Sequence, residues 1–176
     1  MAVTPKRPIT PAQRGMTSRD FSELDSQVKT PTKLKKAKQR ISGRNAHGRI
    51  TVRRRGGGSK RFYRLIQDLP KGKAEVISID YDPNRSAHIA LLQTDKEQVY
   101  VLASKDMKVG EKIEVGNAEN VSSTNRLALK DIPNGTAIYN IELEPGKGGQ
   151  MVKSAGASAQ IVAKEEGQIQ VKLPSG

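Results

Sequence analysis

The stretch ISIDYDPNRSAHIALLQTDKEQVYVLA, residues 77–103, decides the fold because it holds three strand patterns separated by two turns. Apolar and polar residues alternate from 77 to 81, a nearly continuous apolar run covers 87–92, and a further strand pattern covers 98–103. The first turn, residues 82–85, reads Asp-Pro-Asn-Arg, which is rich in turn-forming residues. Short period-2 patterns broken in this way predict antiparallel β-structure.

Similar patterns continue toward the C-terminus. Residues 112–115 add another strand, and five or so strands at this spacing suit a small closed barrel such as the oligonucleotide-binding Greek-key barrel. A second β unit follows a turn at 131–135 and ends in a predicted hairpin over 159–173. The apolar residues that alternate in its first predicted strand are Ala137, Tyr139, Ile141 and Leu143. No closing strand follows residue 173, so we expect this second unit to be incomplete.

Charge is distributed very unevenly along the 176 residues. Residues 1–64 carry a net charge of +15, whereas residues 65–176 carry −2. The segment Arg40–Arg64 contains nine Lys or Arg, no Asp or Glu, and the triple glycine Gly56–Gly58. Its cations release condensed counterions from polyphosphate, and its glycines allow close backbone approach. An uncompensated block of this kind indicates a nucleic-acid-binding arm, and a solvated basic loop is the simpler alternative.

Composition excludes several other classes of protein. Without cysteine, disulfide frameworks and Cys-based zinc sites are excluded. No apolar run approaches the roughly 20 residues that a membrane-spanning helix needs. Residues 1–15 lack the apolar core of a secretory signal, although their basic character leaves a cleaved transit peptide open. The two histidines, His47 and His88, have no cysteine and no carboxylate at metal-ligand spacing in the sequence, so no metal site is predicted.

Residues 1–40 are predicted to be an extended tail. They are rich in Pro, Thr and Lys, and apolar residues are sparse. Within them, Lys33–Arg40 has the composition to form two helical turns when a partner is bound.

Several separated motifs resemble the bacterial type of large-ribosomal-subunit protein two. In chain order they are GRNAHGRITVRRRGGGSKRFYR (Gly43–Arg64), IDYDPNRSAHIALL (Ile79–Leu92), VLASKDMKVGEKI (Val101–Ile113), NIELEPGKGGQMVKSAGASAQIVAKE (Asn140–Glu165) and KLPSG (Lys172–Gly176). The likeness runs in register from about Gly43 to the end. It implies an all-β protein divided into an extended basic RNA-binding arm (1–60), an oligonucleotide-binding (OB) barrel (61–125) and a truncated SH3-like barrel (126–176).

The sequence departs from this family at three places. The family usually has histidine where Arg54 and Ser59 stand, and Ser59 offers only hydrogen bonding in place of a ring. Family members usually continue for roughly another domain into a basic segment rich in Gly and His. We therefore expect this chain to lack that C-terminal segment.

Two local patterns invite catalytic interpretations. The glycines and lysine at 146–149 suggest a phosphate loop, but Lys147 is followed by glycine and the flanks are strands, so a hairpin or an RNA-contacting loop is favoured over a nucleotide site. Asp80 and Asp82 form an Asp-x-Asp pair that a metal-dependent hydrolase could use, although the sequence favours an ordinary Asp-rich turn.

Aromatic residues are only 3% of the chain, which favours recognition of folded RNA through phosphates and shape.

The predicted function is therefore that of a structural protein of the large ribosomal subunit. The resemblance implies binding to large-subunit ribosomal RNA and other ribosomal proteins, in the cytoplasm, with roles in assembly, subunit association and support of the peptidyl-transferase region. No catalytic residue, cofactor, membrane or small-molecule substrate is predicted. The alternatives are an RNA-processing hydrolase and a free nucleic-acid chaperone or translation factor. The predicted RNA-binding residues are Arg40, Arg44, Arg49, Arg53, Arg54, Arg55, Gly56, Gly57, Gly58, Lys60, Arg61, Arg64, Arg85, Lys147 and Lys153.

Overall fold

The predicted all-β fold class is confirmed by a computed structural model, which describes residues 3–22, 24–25, 28–38, 42–56, 59–70, 72–116, 121–165 and 167–176. The strands in chain order are β1 (Val3–Pro5), β2 (Thr17–Arg19), β3 (Lys35–Ala37), β4 (Phe62–Arg64), β5 (Gly72–Asp80), β6 (Ile89–Gln93), β7 (Gln98–Leu102), β8 (Lys112–Val115), β9 (Ala137–Ile138), β10 (Ala159–Glu165) and β11 (Gln168–Lys172). Short 3₁₀ turns occupy Pro11–Gln13, Thr32–Leu34 and Leu129–Asp131. No helix in the described ranges has the length and apolar character that a membrane crossing requires.

The largest sheet has the order β7-β6-β5-β8, and all its pairs are antiparallel. One of its two central strands, β6, is buried on both faces. Ala90 and Leu92 pack into a first apolar cluster with side chains of β5 and β8. Ile89 and Leu91 pack on the opposite face into a second cluster, which contains side chains of β7 together with Leu34. The continuous apolar run predicted from the sequence is therefore a strand that needs cover on two sides.

A β-bulge interrupts the pairing of β5 with β6 between Val76 and Ser78. Burial nevertheless alternates without a break along β5, so that every second side chain from Ala74 to Asp80 is buried. Ser78 and Asp80 are therefore buried, whereas the apolar pattern from 77 to 81 would have exposed them and buried Tyr81. Tyr81 is instead exposed.

The buried carboxylate of Asp80 is matched by donors from two strands. The Tyr100 hydroxyl on β7 donates to Oδ2 at 2.6 Å, and the Ser78 hydroxyl donates to Oδ1 at 3.0 Å. Burial raises the pKa of Tyr100 well above its usual value, and the adjacent Asp80 carboxylate raises it further, so the phenol stays protonated and donates at neutral pH.

Segments that flank the two edges of this sheet are joined by an ion pair. Ile66 forms a parallel bridge with Tyr100 at the β7 edge, and Arg126 forms one with Val115 at the β8 edge. The guanidinium of Arg126 contacts the carboxylate of Asp68, two residues after Ile66, at 2.6 Å. This ion pair links segments from opposite edges of the sheet, which is consistent with the predicted OB barrel.

The chain before the barrel lies partly on the sheet rather than free of it. Leu34 is only 5% exposed because it fills the second cluster. Lys35–Ala37 pair with Phe62–Arg64 as β3 and β4, so this part of the predicted Lys33–Arg40 helix is extended. A separate two-stranded ribbon, β1 with β2, precedes it. The segment around Leu34 is therefore structured against the barrel, because β6 leaves an apolar face to cover.

Asp82 fastens β4 to the turn after β5. Its side chain is fully buried and accepts hydrogen bonds from Arg85 Nε at 2.6 Å and from the Asn84 backbone N–H at 3.0 Å. Arg64 Nη1 of β4 approaches the same carboxylate at 3.4 Å. Burial alone would raise the pKa of Asp82, but the hydrogen bonds from Asn84 and Arg85 outweigh it and hold the pKa below its usual value.

The second β unit is a three-stranded sheet in the order β11-β10-β9, consistent with a small SH3-like unit. Ile138, Ile141, Ala159 and Ile161 form its core. The predicted face of Ala137, Tyr139, Ile141 and Leu143 is wrong, because the strand ends at Ile138 and Leu143 is exposed. Asn140 has a φ of 52°, which breaks the alternation at that residue. The predicted hairpin is confirmed as β10 and β11, although Glu166 of its turn lies outside the described residues.

We expect Tyr100→Phe to destabilise the protein by about 2 kcal/mol, because the buried Asp80 carboxylate loses one of its donors. Urea unfolding at neutral pH measures this change. Tyr81→Phe is the matched control, since Tyr81 is exposed, and it should change stability by less than about 0.5 kcal/mol. Equal effects of the two substitutions would contradict the assigned role of Tyr100.

We expect Asp82→Asn to destabilise the protein at neutral pH by roughly 3 kcal/mol, because Arg85 and Arg64 are left without a buried anionic partner. Since the folded-state pKa of Asp82 lies below the unfolded value of about 3.8, its contribution is complete above that pH and is lost as pH falls through the lower folded value. Urea midpoints from pH 7 to pH 2 should therefore fall less steeply in acid for the variant than for the wild type. Asp95→Asn, in an exposed turn, should retain the wild-type pH profile.

Candidate nucleic-acid interface

Residues 42–56, called the basic loop below, form a compact turn system. The Gly43 carbonyl accepts hydrogen bonds from the backbone N–H groups of Thr51 at 2.8 Å and Val52 at 3.1 Å. Arg44 and Ile50 form an antiparallel bridge across the loop. Gly43 has a φ of 69°, and a Cβ there would overlap the Val52 carbonyl, so this position requires glycine. Hydrogen bonds within the loop therefore define its backbone conformation and with it the positions of its arginines.

The basic loop exposes its cations around an open cleft of about 660 Å³. The predicted RNA-binding residues that line this cleft are Arg44, Arg53, Arg54, Arg55 and Gly56. Ile50 and Val52 provide an apolar part of the lining and are themselves exposed. Arg54 has a φ of 63°, a conformation that few residues other than glycine adopt. Chemically, the cleft combines several guanidinium groups with apolar surface, which suits a polyanion carrying bases.

The remaining predicted cations of the arm and barrel divide into two groups. Arg49, Lys60 and Arg61 are exposed, and Arg61 donates to the Pro83 carbonyl at 3.0 Å. Arg64 and Arg85 are half-buried against Asp82 and hold β4 on the barrel. Three predicted residues, Arg40, Gly57 and Gly58, lie outside the described residues.

The glycine-rich loop of the second unit, residues 146–149, is packed onto the barrel. Gly148 is buried with a φ of 80°, and a Cβ there would overlap the Asp68 carboxylate. A Cβ at Gly149 would overlap the side chain of Asn140. Lys147 is exposed and pairs with Glu144 at 2.7 Å. Gly148 and Gly149 therefore allow close packing, and the exposed lysine remains on the outside of the loop.

Lys153 lies in a second loop that reaches the barrel. Its ammonium group donates to the Gly149 carbonyl at 2.7 Å and is exposed. Two residues later, the Ala155 N–H donates to the Ser86 hydroxyl at 3.2 Å, next to Arg85. The structure thus brings the loop that contains Lys153 to the turn that also anchors β4.

Arg126 and Glu142, which the sequence did not single out, join the two units. Arg126 contacts Glu142 at 3.1 Å and Asp68 at 2.6 Å. The Gly148 N–H donates to Glu142 at 2.9 Å. This N–H and the Arg126 guanidinium hold the pKa of Glu142 below its usual value. No local sequence pattern could have revealed this group, since Arg126 and Asp68 are 58 positions apart.

The Asp-x-Asp pair does not form a shared ligand site. Asp80 accepts from Ser78 and Tyr100, and Asp82 accepts from Asn84 and Arg85. Each carboxylate has a separate structural role, and the predicted turn at 82–85 is confirmed. The pattern therefore gives no support to the metal-dependent hydrolase interpretation.

Two family models match the chain. The model described as Ribosomal Proteins L2, RNA binding N-terminal domain matches residues 31–115, which run from the segment containing Leu34 through β8. The model described as Ribosomal Proteins L2, C-terminal domain matches residues 122–176, which include β9 to β11. Together the matches cover well over half of the chain and confirm the resemblance seen in the sequence. The chain therefore belongs to the ribosomal protein L2 family, a family of structural RNA-binding proteins.

Proposed function

We propose that the protein is a structural constituent of the large ribosomal subunit that binds large-subunit ribosomal RNA. The observation that carries this proposal is the exposed basic loop, which presents Arg44, Arg49 and Arg53–Arg55 without a neighbouring carboxylate in its sequence. Family membership and the net charge of +15 over residues 1–64 support the same function.

In this proposal the chain has three functional parts. The arm (1–60) inserts its cations between RNA helices, the OB barrel (61–125) supports the arm, and the SH3-like unit (126–176) contributes Lys147 and Lys153 to the same RNA surface. Neutralising phosphates is the main source of affinity, because each neutralised phosphate releases counterions. Assembly of the subunit, association with the small subunit and support of the peptidyl-transferase region are the roles proposed for the bound protein, together with contacts to other ribosomal proteins in the cytoplasm.

Co-sedimentation with large subunits through a high-salt cushion distinguishes this function from the alternatives. We expect the protein to remain bound in a one-to-one ratio with the subunit. A chaperone or translation factor would be washed off, and an RNA-processing enzyme would be recovered in much less than stoichiometric amount. Either of these results would contradict the proposal.

The arm's contribution is best tested by charge removal rather than deletion, because Leu34 belongs to the barrel core and its removal would expose apolar surface. We expect Arg53/Arg54/Arg55→Gln to lower affinity for ribosomal RNA. The slope of log K against log salt should also become shallower, by roughly one for each phosphate that the variant no longer neutralises. Filter binding across a salt series measures both quantities.

Lys96/Lys105/Lys108→Gln is the matched control for that experiment. It removes the same charge from exposed positions of the barrel, where Asp95, Glu97 and Asp106 are close in sequence. Its salt slope should remain near that of the wild type. Equal reductions in the two variants would show that net charge, rather than the basic loop, determines binding.

A further inference from the structure

The few aromatic residues of this chain are distributed in an unusual way. Of six rings, Tyr100 is fully buried and Tyr139 is half-buried, but the other four keep 40–58% of their surface exposed. These four are Phe21, Phe62, Tyr63 and Tyr81. All of them lie at or beside the Asp82–Arg85 turn: Phe21 contacts the Tyr81 ring edge-on at 5.4 Å, and the Phe62 carbonyl accepts a hydrogen bond from Asn84. Exposed aromatic surface at one place on a basic protein indicates an interaction site.

Tyr63 is the ring whose position is best defined. The Arg85 guanidinium lies over it, 5.6 Å from the ring centroid. Arg85 is fixed in turn by Asp82 Oδ2 at 2.6 Å and by the Arg64 carbonyl at 3.2 Å. The backbone of Tyr63 is held by pairing with Lys36 of β3. The ring is therefore braced from one side, and yet Tyr63 remains 40% exposed.

The residues around Tyr63 include exposed cations that can neutralise the phosphates of an RNA strand. Lys36 is its cross-strand partner, so the two side chains lie on the same face of the β3–β4 ribbon, and Lys36 is exposed. Lys60 and Arg61 are exposed on the approach to β4. A braced ring among exposed cations is the arrangement by which proteins stack an unpaired base while they neutralise its phosphates. Double-stranded RNA offers no free base face for such a ring.

We propose that Tyr63 is a stacking site for an unpaired nucleobase of the bound RNA, with Arg85 as the residue that positions the ring. This inference rests on the proposed RNA-binding function and adds a substrate class to it. The protein then recognises a junction of paired and unpaired RNA: the basic loop contacts phosphates, and Tyr63 takes up one base that has left the helix. The scarcity of aromatic residues limits this recognition to few bases without excluding it.

The test compares two RNA probes that have the same number of phosphates. One is a hairpin with a single-stranded adenine loop, and the other is the same hairpin with abasic loop nucleotides. We expect Tyr63→Leu to weaken binding to the adenine loop roughly 5- to 150-fold and to leave binding to the abasic loop unchanged. The salt slope should be unchanged, because the variant still neutralises the same phosphates. Tyr63→Phe, which keeps the ring, should retain wild-type affinity for both probes.

Tyr81→Leu is the matched control, since Tyr81 has the same exposure but its ring contacts Phe21. It should not change the preference for the adenine loop. Equal losses of affinity for both probes in Tyr63→Leu, or an equal loss in Tyr81→Leu, would overturn the assignment of Tyr63. A wild-type protein that binds neither probe would overturn the proposed function as well, whereas normal binding with no effect of Tyr63→Leu would overturn only the stacking site.

Discussion

The burial of β6 on both faces is the constraint on which the rest of this structure depends. A strand with alternating polarity needs one apolar neighbour, but Ile89 to Leu92 require cover on two sides. Side chains of the first cluster pack on one face of β6, and Leu34 with its flanking residues packs on part of the other face. The N-terminal segment is thereby drawn onto the barrel. Its cations follow, because β3 begins directly after Leu34 and pairs with β4, and the basic loop lies between these two strands in the chain.

Much of the fold could be predicted from periodicity, and the failures have identifiable causes. Strands β6, β7 and β11 fall where apolar residues repeat or run together. The burial of Asp80 was not predictable, because it depends on hydrogen bonds from the hydroxyl groups of Ser78 and of Tyr100 on β7. The early end of β9 was missed for a similar reason, since the positive φ of Asn140 accompanies close packing against Gly149 rather than any local propensity. Long-range polar partners leave no periodic signal in a sequence.

The candidate interface was predictable in composition but not in arrangement. Charge asymmetry in the sequence predicted the basic segment, and the structure places Arg49 and Arg53–Arg55 at exposed positions. The sequence did not show that Arg64 and Arg85 share a buried carboxylate, because Asp82 resembles an ordinary turn residue until its partners are known. It also did not show that Lys153 lies close to that turn. A block of like charge therefore contains exposed residues and residues that hold the protein together, and only the fold separates them.

The place of Leu34 in the core has a consequence for the order of events during synthesis. Its buried partners Ile89, Leu91 and Tyr100 leave the ribosome more than fifty residues after it, and until then the second cluster lacks most of its buried side chains. A nascent chain of this length presents an unfolded polycation to whatever RNA is nearby. Once β7 has been synthesised, Leu34 and its flanking residues can pack against the sheet. The same residues can thus bind first to nearby RNA and later to the sheet of the barrel. The second of these surfaces exists only after the barrel has been synthesised.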